Sequence, residues 1–467
     1  MLFPGNSEQR VIIDNDEWGP PDSKPAFAKC CSPNKPLILW IGTSEKLKIM
    51  TIKQEVKKIC ENSKKSVTDI ATLETNIKNK ILLEISDEIK NQYQEIISQN
   101  KIDLDLAKKN NLPNAKIDRL TLTKERIFAI ADAVKDVASL PDPVGKITYD
   151  VKRENNLHIR RISTPIGVLL TIYEARPNVT SDVAALSIKS GNAVILRSGS
   201  ESFNSSKIIA DIYRKILAKF NLDPNIVNYV LNSDREYVKY LLKMPEYIDV
   251  VVPRGGQNLI MAIEKNSKIP VFRHLTGNCH SYIHSSADLE KAVKIIANAK
   301  LRRVGICGAT ESLLIDAKIA KKALKLITDK LINEGCEIRG DAASIKIDPR
   351  IKKATNQDFY TEYLDKILSV KIVKNINQAI VHINKYSSSH TEAIICEDES
   401  AKEEFFAKID SSIVMHNTST QFADGGEFGL GAEVGIATGK LHARGPVGLE
   451  QLTTYKYIVS SDCAVRS

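Results

Sequence analysis

Apolar residues recur at three- and four-residue spacing through residues 51–100, with no glycine or proline among them. That period gathers the apolar side chains into one stripe, so the stretch predicts a pair of amphipathic helices. LTLTKERIFAIADAVKDVASL, at 120–140, has the same period and predicts a further helix stopped by Pro141. From residue 147 the period shortens to two. ITYDVKRENNLHIRRIS reads as a hairpin of two alternating runs around the turn ENN. Beyond it, buried apolar runs alternate with helical patterns. GVLLTIYEA, AVILR, IVNYV and YIDVVV are the strands. VTSDVAALSIKSG, SFNSSKIIADIYRKILAKF, REYVKYLLKM and GQNLIMAIEKN are the helices. Near-continuous Val/Ile strands between helices predict a parallel sheet covered on both faces.

A second α/β region runs from about 275 to 435. ADLEKAVKIIANAK and AKIAKKALKLITDKLINEG are its helices, and ESLLID, KILSVKIV and EAIICE its strands. The tail GPVGLEQLTTYKYIVSS ends in a β-like run suited to pairing with a sheet edge, including one across a subunit boundary. Residues 1–49, with GPPDSKP and CCSPNKP, have another texture and read as an irregular extension, which makes Met50 a candidate start.

Composition narrows the class. The chain has 467 residues, 43% hydrophobic and 26% charged, a size for two or three globular domains. No apolar run approaches the roughly 20 residues of a membrane helix, and the N-terminus lacks the pattern of a secretory signal. The eight cysteines are scattered without a CxxC pair, which favours a reducing cytoplasm over a disulfide framework. A net charge of +9 suits phosphate-bearing ligands, although much of it is lysine spread over solvated faces. No basic stripe interleaved with aromatics points to nucleic acid.

Three places carry candidate chemistry. In VVPRGGQNL a buried strand runs into Arg254-Gly255-Gly256 and then a helix, where a backbone can approach a phosphate; a bare turn has the same sequence. GNAVILRSGSES repeats that architecture. Arg197, Ser200 and Glu201 there could meet a ribose or its 2′-phosphate, or form a surface turn before a helix. KLRRVGICGATESLL puts Cys307 between two glycines after Arg303. A cation nearby favours the reactive thiolate, and a small core residue is the competing reading. His274, Cys279 and His280 in FRHLTGNCHSYI could suggest zinc with Cys307, but the spacing is that of no zinc finger. A strand–turn–strand with buried polar side chains is preferred.

Six segments together carry a resemblance. They are IYEARPNVTSDVAALSIKSGNAVILR at 172–197, VPRGG at 252–256, HLTGNCHSYI at 274–283, NAKLRRVGICGATESLL at 298–314, SSSHTEAII at 387–395 and GGEFGLGAEVGIATGKLHARGPVGLEQLTTYKYI at 425–458. The chain from about Met50 onward resembles the gamma-glutamyl phosphate reductase (glutamate-5-semialdehyde dehydrogenase) family of the aldehyde dehydrogenase superfamily. The resemblance implies an α/β fold in four parts. These are the extension 1–49, a nucleotide-binding domain at 50–274 that includes the 147–163 hairpin of an oligomerisation flap, a catalytic domain at 275–435 carrying Cys307, and a C-terminal return and flap strand at 436–467. It implies NADPH-dependent reduction of L-glutamyl 5-phosphate to the semialdehyde, the second step of proline synthesis, with Cys307 as nucleophile.

An acyl phosphate has a good leaving group, so a thiolate can displace it and divide the reduction into two easier steps. The Cys307 amide and the Asn178 side chain are candidate donors to the developing oxyanion, with a helix N-cap as the other reading of Asn178. Arg176, Arg303 and Arg444 are candidates for bidentate pairing with phosphate or carboxylate, or structural residues. A homo-oligomer and glutamate 5-kinase, the enzyme making the acyl phosphate, are the partners considered. Metal is not expected.

Aldehyde-oxidising relatives use a Glu in the region matching HLTGN; here no carboxylate lies between His274 and Asn278, and Thr276 stands where several reductases have an acid. Further departures are Gln421 in STQF for STRF, Val304 and Gly308 in RVGICG for RPGVCN, and Ser198 in LRSG for LRGG. Another acylating or aldehyde-oxidising dehydrogenase, and a catalytically weakened homologue that binds a partner, stand as alternatives.

Overall fold

The computed structural model describes residues 50–466 apart from His274 and Leu275. The extension expected at 1–49 lies outside the described residues. Thr51 opens the first helix with a capping box: its hydroxyl accepts from the Gln54 amide, and the Gln54 side chain accepts from the Thr51 amide. Three helices follow where the periodicity predicts a pair: α1 (Ile52–Ala71), α2 (Thr75–Asn91) and α3 (Tyr93–Lys109). The second break falls at Gln92, at φ −93° and ψ 18°, and no glycine or proline marks it. The short α4 (Asn114–Leu120) and then α5 (Lys124–Ser139) complete this layer. The predicted hairpin is present as β1 (Ile147–Lys152) and β2 (His158–Pro165), with Asn156 turning at φ +62°.

The first α/β region runs β3 (Val168–Tyr173), α6 (Asn178–Lys189), β4 (Ala193–Ser198), α7 (Phe203–Lys219), β5 (Val227–Tyr229), α8 (Arg235–Leu241), β6 (Val250–Arg254) and α9 (Gln257–Asn266). Its four strands are parallel in the order β5-β4-β3-β6. Side chains alternate across such a sheet. Leu169, Tyr173, Val194 and Leu196 pack with the layer of α2, α5, α6 and α7, while Val168, Leu170, Ile172 and Ile195 pack with α1 and α8. Both faces are covered, as the apolar runs require. The chain moves outward from β3 to β5 and then crosses back to β6, so the order reverses between β3 and β6. In open parallel sheets a crevice opens at such a point, at the carboxyl ends of the strands.

The second region runs β7 (Cys279–Ile283), α10 (Leu289–Leu301), β8 (Thr310–Asp316), α11 (Ala320–Asn333), β9 (Glu337–Gly340), α12 (Ala342–Ile347), β10 (Lys352–Lys353), β11 (Ile367–Val373), α13 (Ile376–Tyr386), β12 (Thr391–Ile395), α14 (Glu399–Lys408) and β13 (Ile413–His416). They form a seven-stranded sheet, β10-β9-β11-β8-β7-β12-β13. Among the described residues FRHLTGNCHSYI contributes β7 alone, preceded by a single bridge at Val271, where a strand–turn–strand was expected. A small pair, β14 (Ile436–Ala437) and β15 (Gly445–Pro446), precedes β16 (Thr453–Ser460). β16 pairs antiparallel with β2 of the same chain, so the tail finds its sheet edge without crossing a subunit boundary.

A buried ion pair closes the base of the loop between α10 and β8. Lys300 Nζ meets the Glu311 carboxylate with both side chains fully buried, and Glu311 Oε1 also accepts from the Leu364 amide at 3.2 Å. Removing one partner of such a pair leaves an uncompensated buried charge. Lys300→Met is expected to lower unfolding free energy by about 3–5 kcal/mol, and Lys300→Met with Glu311→Leu to recover most of it. Urea unfolding of the three proteins measures this, and equal midpoints for both variants would disprove it.

Candidate active site

The loop 302–309 carries Cys307 from the end of α10 to the start of β8. The side chain is half-buried beside Ala393, Ile413, Met415, Ala423 and Ile436. Its backbone is clamped. A Cβ at Gly277 would lie 2.1 Å from the Cys307 carbonyl oxygen and 2.6 Å from its Cα, so only glycine lets the 276–278 segment cross here. The Cys279 thiol donates to the same carbonyl at 3.0 Å, and Glu362 Oε1 accepts from the Gly277 amide at 2.9 Å. Burial pushes the Cys307 thiol up to about 11; Arg254 pulls it down, and Glu433 and Glu362 push it further up.

Four guanidiniums surround this loop. Arg254, at the end of β6, lies against Gly435, where a Cβ would come within 2.4 Å of its Nη1. Arg176, in the turn between β3 and α6, is brought down to about 10, by burial first and then by the like charges of Arg254, Arg119 and Arg303. Arg119 reaches in from α4, with Nη2 3.9 Å from the Cβ position of Gly305. Among the described residues none of the four has a hydrogen-bond acceptor or a carboxylate partner for its guanidinium. An unpaired arginine at a surface is ordinary. Here Arg254 and Arg176 couple to the Cys307 thiol, and Arg119 and Arg303 couple to Arg176, an arrangement suited to an anion.

Three carboxylates border the same space, all raised chiefly by burial: Glu362, Glu433 and Asp182. Glu433 Oε2 accepts from the Gly425 amide at 3.0 Å. Asp182 reaches about 6, opposed by the Asn178 amide and by Arg254. The absence of a carboxylate between His274 and Asn278 is thus not an absence of carboxylates near the thiol. Of the histidines and cysteine considered with Cys307, Cys279 and His280 are fully buried on β7 and His274 lies outside the described residues. No group of three or more His, Cys, Asp or Glu suited to a metal occurs among the described residues.

The cofactor candidates lie along the carboxyl ends of β3, β4 and β6. Glu174 and Glu201 reach into the two turns: Gly256 N–H donates to Glu174 Oε2 at 3.2 Å, and Ala175 N–H to Glu201 Oε1 at 3.0 Å. The turns therefore present amides to anionic oxygens, as a phosphate cradle must. A Cβ at Gly255 would fall 3.0 Å from Glu174 Oε2. Arg197 is 8% exposed; its Nη2 donates to the Ser233 carbonyl at 2.7 Å, while its buried Nε has no partner. Ser200 is exposed at the start of the turn into α7. Arg254 follows a different course from Gly255 and Gly256, since its side chain joins the cysteine cluster.

A model of the aldehyde dehydrogenase family matches residues 47–355. A Brucella suis protein named gamma-glutamyl phosphate reductase is 48% identical over 416 residues, covering 89% of this chain and 99% of that one. A Brucella anthropi protein of the same name is 50% identical, covering 85% and 93%. The chain belongs to the gamma-glutamyl phosphate reductases of the aldehyde dehydrogenase family. A crystal structure of gamma-glutamyl phosphate reductase from Thermotoga maritima superposes with a TM-score of 0.87 at 41% identity, covering 88% of this chain and all of the other.

Against that family the departures find local partners. Gln421 Nε2 donates to the carbonyls of Asn298 and Ala299 at 3.1 and 2.9 Å, closing the last turn of α10. Gly308 faces the Thr420 carbonyl, which a Cβ would approach to 3.1 Å, so this turn and the cysteine loop fit as a pair. The Ser198 hydroxyl bonds Tyr229 Oη at 2.6 Å. Of its two readings Arg444 fits the structural one, apart from the other arginines: it is held by Asp410, through an ion pair of 2.8 Å and the Asp410 carbonyl. The N-cap reading of Asn178 needs correction. Asn178 is not an N-cap: Pro177 holds that position, and the Asn178 amide donates to Asp182 Oδ2 at 2.9 Å. Arg119, Glu174, Glu362 and Glu433 were missed. Glu174 and Glu433 stand inside segments that carry the resemblance; nothing in the local sequence marks Arg119 or Glu362.

Because Arg254 favours the thiolate, Arg254→Gln raises the Cys307 pKa, and alkylation by iodoacetamide at pH 8 is expected to slow about three- to tenfold. Glu433→Gln removes a negative neighbour and speeds it. Identical rate–pH profiles for the two variants and the parent would contradict this electrostatic account.

Proposed function

We propose that this chain reduces L-glutamyl 5-phosphate to L-glutamate 5-semialdehyde and phosphate through a thioester on Cys307, with NADPH as the nicotinamide cofactor. The observation that carries the reading is the set of four guanidiniums, without direct partners among the described residues, gathered at the Cys307 loop. The substrate brings a phosphate and a carboxylate to be neutralised, joined by a short chain whose carbonyl must meet the sulfur.

The steps follow from the groups present. The thiol proton passes to one of the two carboxylates in electrostatic reach, Glu433 or Glu362, whose raised pKa values suit them as bases. Sulfur adds to the C5 carbonyl, and the C–O bond to phosphate breaks with its electron pair on the leaving oxygen. Arg176 and Arg254 offset the charge of the phosphate as it departs. Gly277 and Cys279 keep the Cys307 backbone fixed, so that its amide meets the oxyanion, with Asn178 as the side-chain donor. A bound nicotinamide would supply hydride to the thioester carbonyl; the resulting oxyanion, held by the Cys307 amide and Asn178, would re-form C=O and return the electron pair to the Cys307 sulfur as thiolate. The unpartnered Nε of Arg197 and the amides now taken by Glu174 and Glu201 fit a dinucleotide, with Arg197, Ser200, Glu201, Gly255 and Gly256 holding its ribose and phosphates.

The flap sheet β1–β2–β16 exposes Ile147, Tyr149, Tyr455, Tyr457 and Val459, the face by which we expect a second copy to associate. Among the described residues no helix is long and apolar enough to cross a membrane. A nucleophile that must stay a free thiol suits a reducing cytoplasm.

The reverse reaction tests the reading: semialdehyde-dependent reduction of NADP in phosphate buffer. Cys307→Ala is expected to lose at least about a thousandfold in kcat, and NADP to be preferred over NAD in kcat/KM. Turnover surviving in Cys307→Ala would end the proposal, and a preference for NAD would remove Arg197 from its role.

A further inference from the structure

The four guanidiniums are not equivalent. Arg176 and Arg254 are half-buried and act directly on the Cys307 sulfur, whereas Arg119 and Arg303 are exposed and bear on it through Arg176. Arg119 stands farthest from Cys307 in sequence and comes from a different layer, the short helix α4. Its Nη2 lies 3.9 Å from the Cβ position of Gly305, at van der Waals distance from the cysteine loop. The adjacent Asp118 does not neutralise it, because Asp118 Oδ1 is paired with Arg126 Nη2 at 2.7 Å. Gly305 and Cys307 are two residues apart, at most about 7 Å along the chain. The glutamyl carbonyl that the sulfur attacks and the carboxylate at the other end of the substrate are separated by four carbon–carbon bonds, roughly 5 Å when extended. The phosphate is bonded to the reacting carbonyl itself, so its charge must lie in the inner zone.

We propose that Arg119 is a specificity-determining residue that binds the substrate's α-carboxylate, leaving Arg176 and Arg254 to the phosphate and the oxyanion. The assignment rests on the proposed function. It explains why an exposed arginine from a separate helical layer is left without a partner beside the nucleophile loop. It also gives selection for an amino-acid chain a physical origin: an aldehyde lacking the distal carboxylate leaves Arg119 unneutralised next to three other cations.

The test uses the full chain in the reverse direction, with semialdehyde, phosphate and NADP varied in turn. Arg119→Gln is expected to raise the KM for semialdehyde about 10- to 100-fold, the range for a charge-assisted contact, with the KM for phosphate and the rate of Cys307 alkylation unchanged. Arg119→Lys should recover part of the loss. The affinity of 4-aminobutanal, the same chain without the carboxylate, measured as substrate or as competitive inhibitor, should be indifferent to the substitution. A semialdehyde KM within twofold of the parent overturns the assignment. So does a rise in the phosphate KM, or an equal loss of affinity for 4-aminobutanal. Failure of the broader reading looks different: it is activity that persists in Cys307→Ala, whatever Arg119 does.

Discussion

Positive charge gathered without a direct ion pair among the described residues, with carboxylates only in electrostatic reach, is the constraint on which this site depends. Arg119, Arg176, Arg254 and Arg303 repel one another, and the depression of Arg176 to about 10 records part of that repulsion. Four rigid elements hold them in place: a short helix, the turn after β3, the end of β6 and the loop between α10 and β8. Such an arrangement gains free energy only when an anion arrives, which is how a fold converts stability into binding. Burial keeps the resting Cys307 thiol protonated, since the unreactive form is the one burial favours.

The Lys300–Glu311 pair next to the site shows the contrary solution. There a lysine and a glutamate are fully buried, neutralise each other and take in the Leu364 amide, so no ligand is called for. The difference lies in the partners. At the base of the loop the charges match; around the sulfur the cations outreach the carboxylates within electrostatic reach. Glu362 joins the two zones, because its carboxylate holds Gly277 against the Cys307 backbone while feeling the Lys300 charge.

The departures from the family pattern look different once they have neighbours. Gly308 and Gln421 belong to one contact, the approach of the 419–422 turn to the cysteine loop. A side chain at 308 would press on the Thr420 carbonyl, and the Gln421 amide ties that turn to the end of α10. Read singly they resemble lost function. Read together they form a single contact between the 419–422 turn, the end of α10 and the cysteine loop.

The sequence by itself determined the covered parallel sheet, the hairpin at 147–163, most of the long helices, the family, and the cysteine most suited to chemistry. Those properties reside in local period, in Val/Ile runs and in contiguous motifs, which a linear reading can follow. It did not determine that α2 and α3 part at Gln92, because nothing about that residue announces a break. Nor did it decide which arginines stand together. Arg444 lies in a motif that carries the resemblance yet belongs to Asp410, and Arg119 lies in none yet reaches the cysteine loop at Gly305. Only the tertiary structure decided those, because a guanidinium acts over a few ångströms of space, and the layers that bring Arg119 to Gly305 are joined by contacts between segments far apart along the chain.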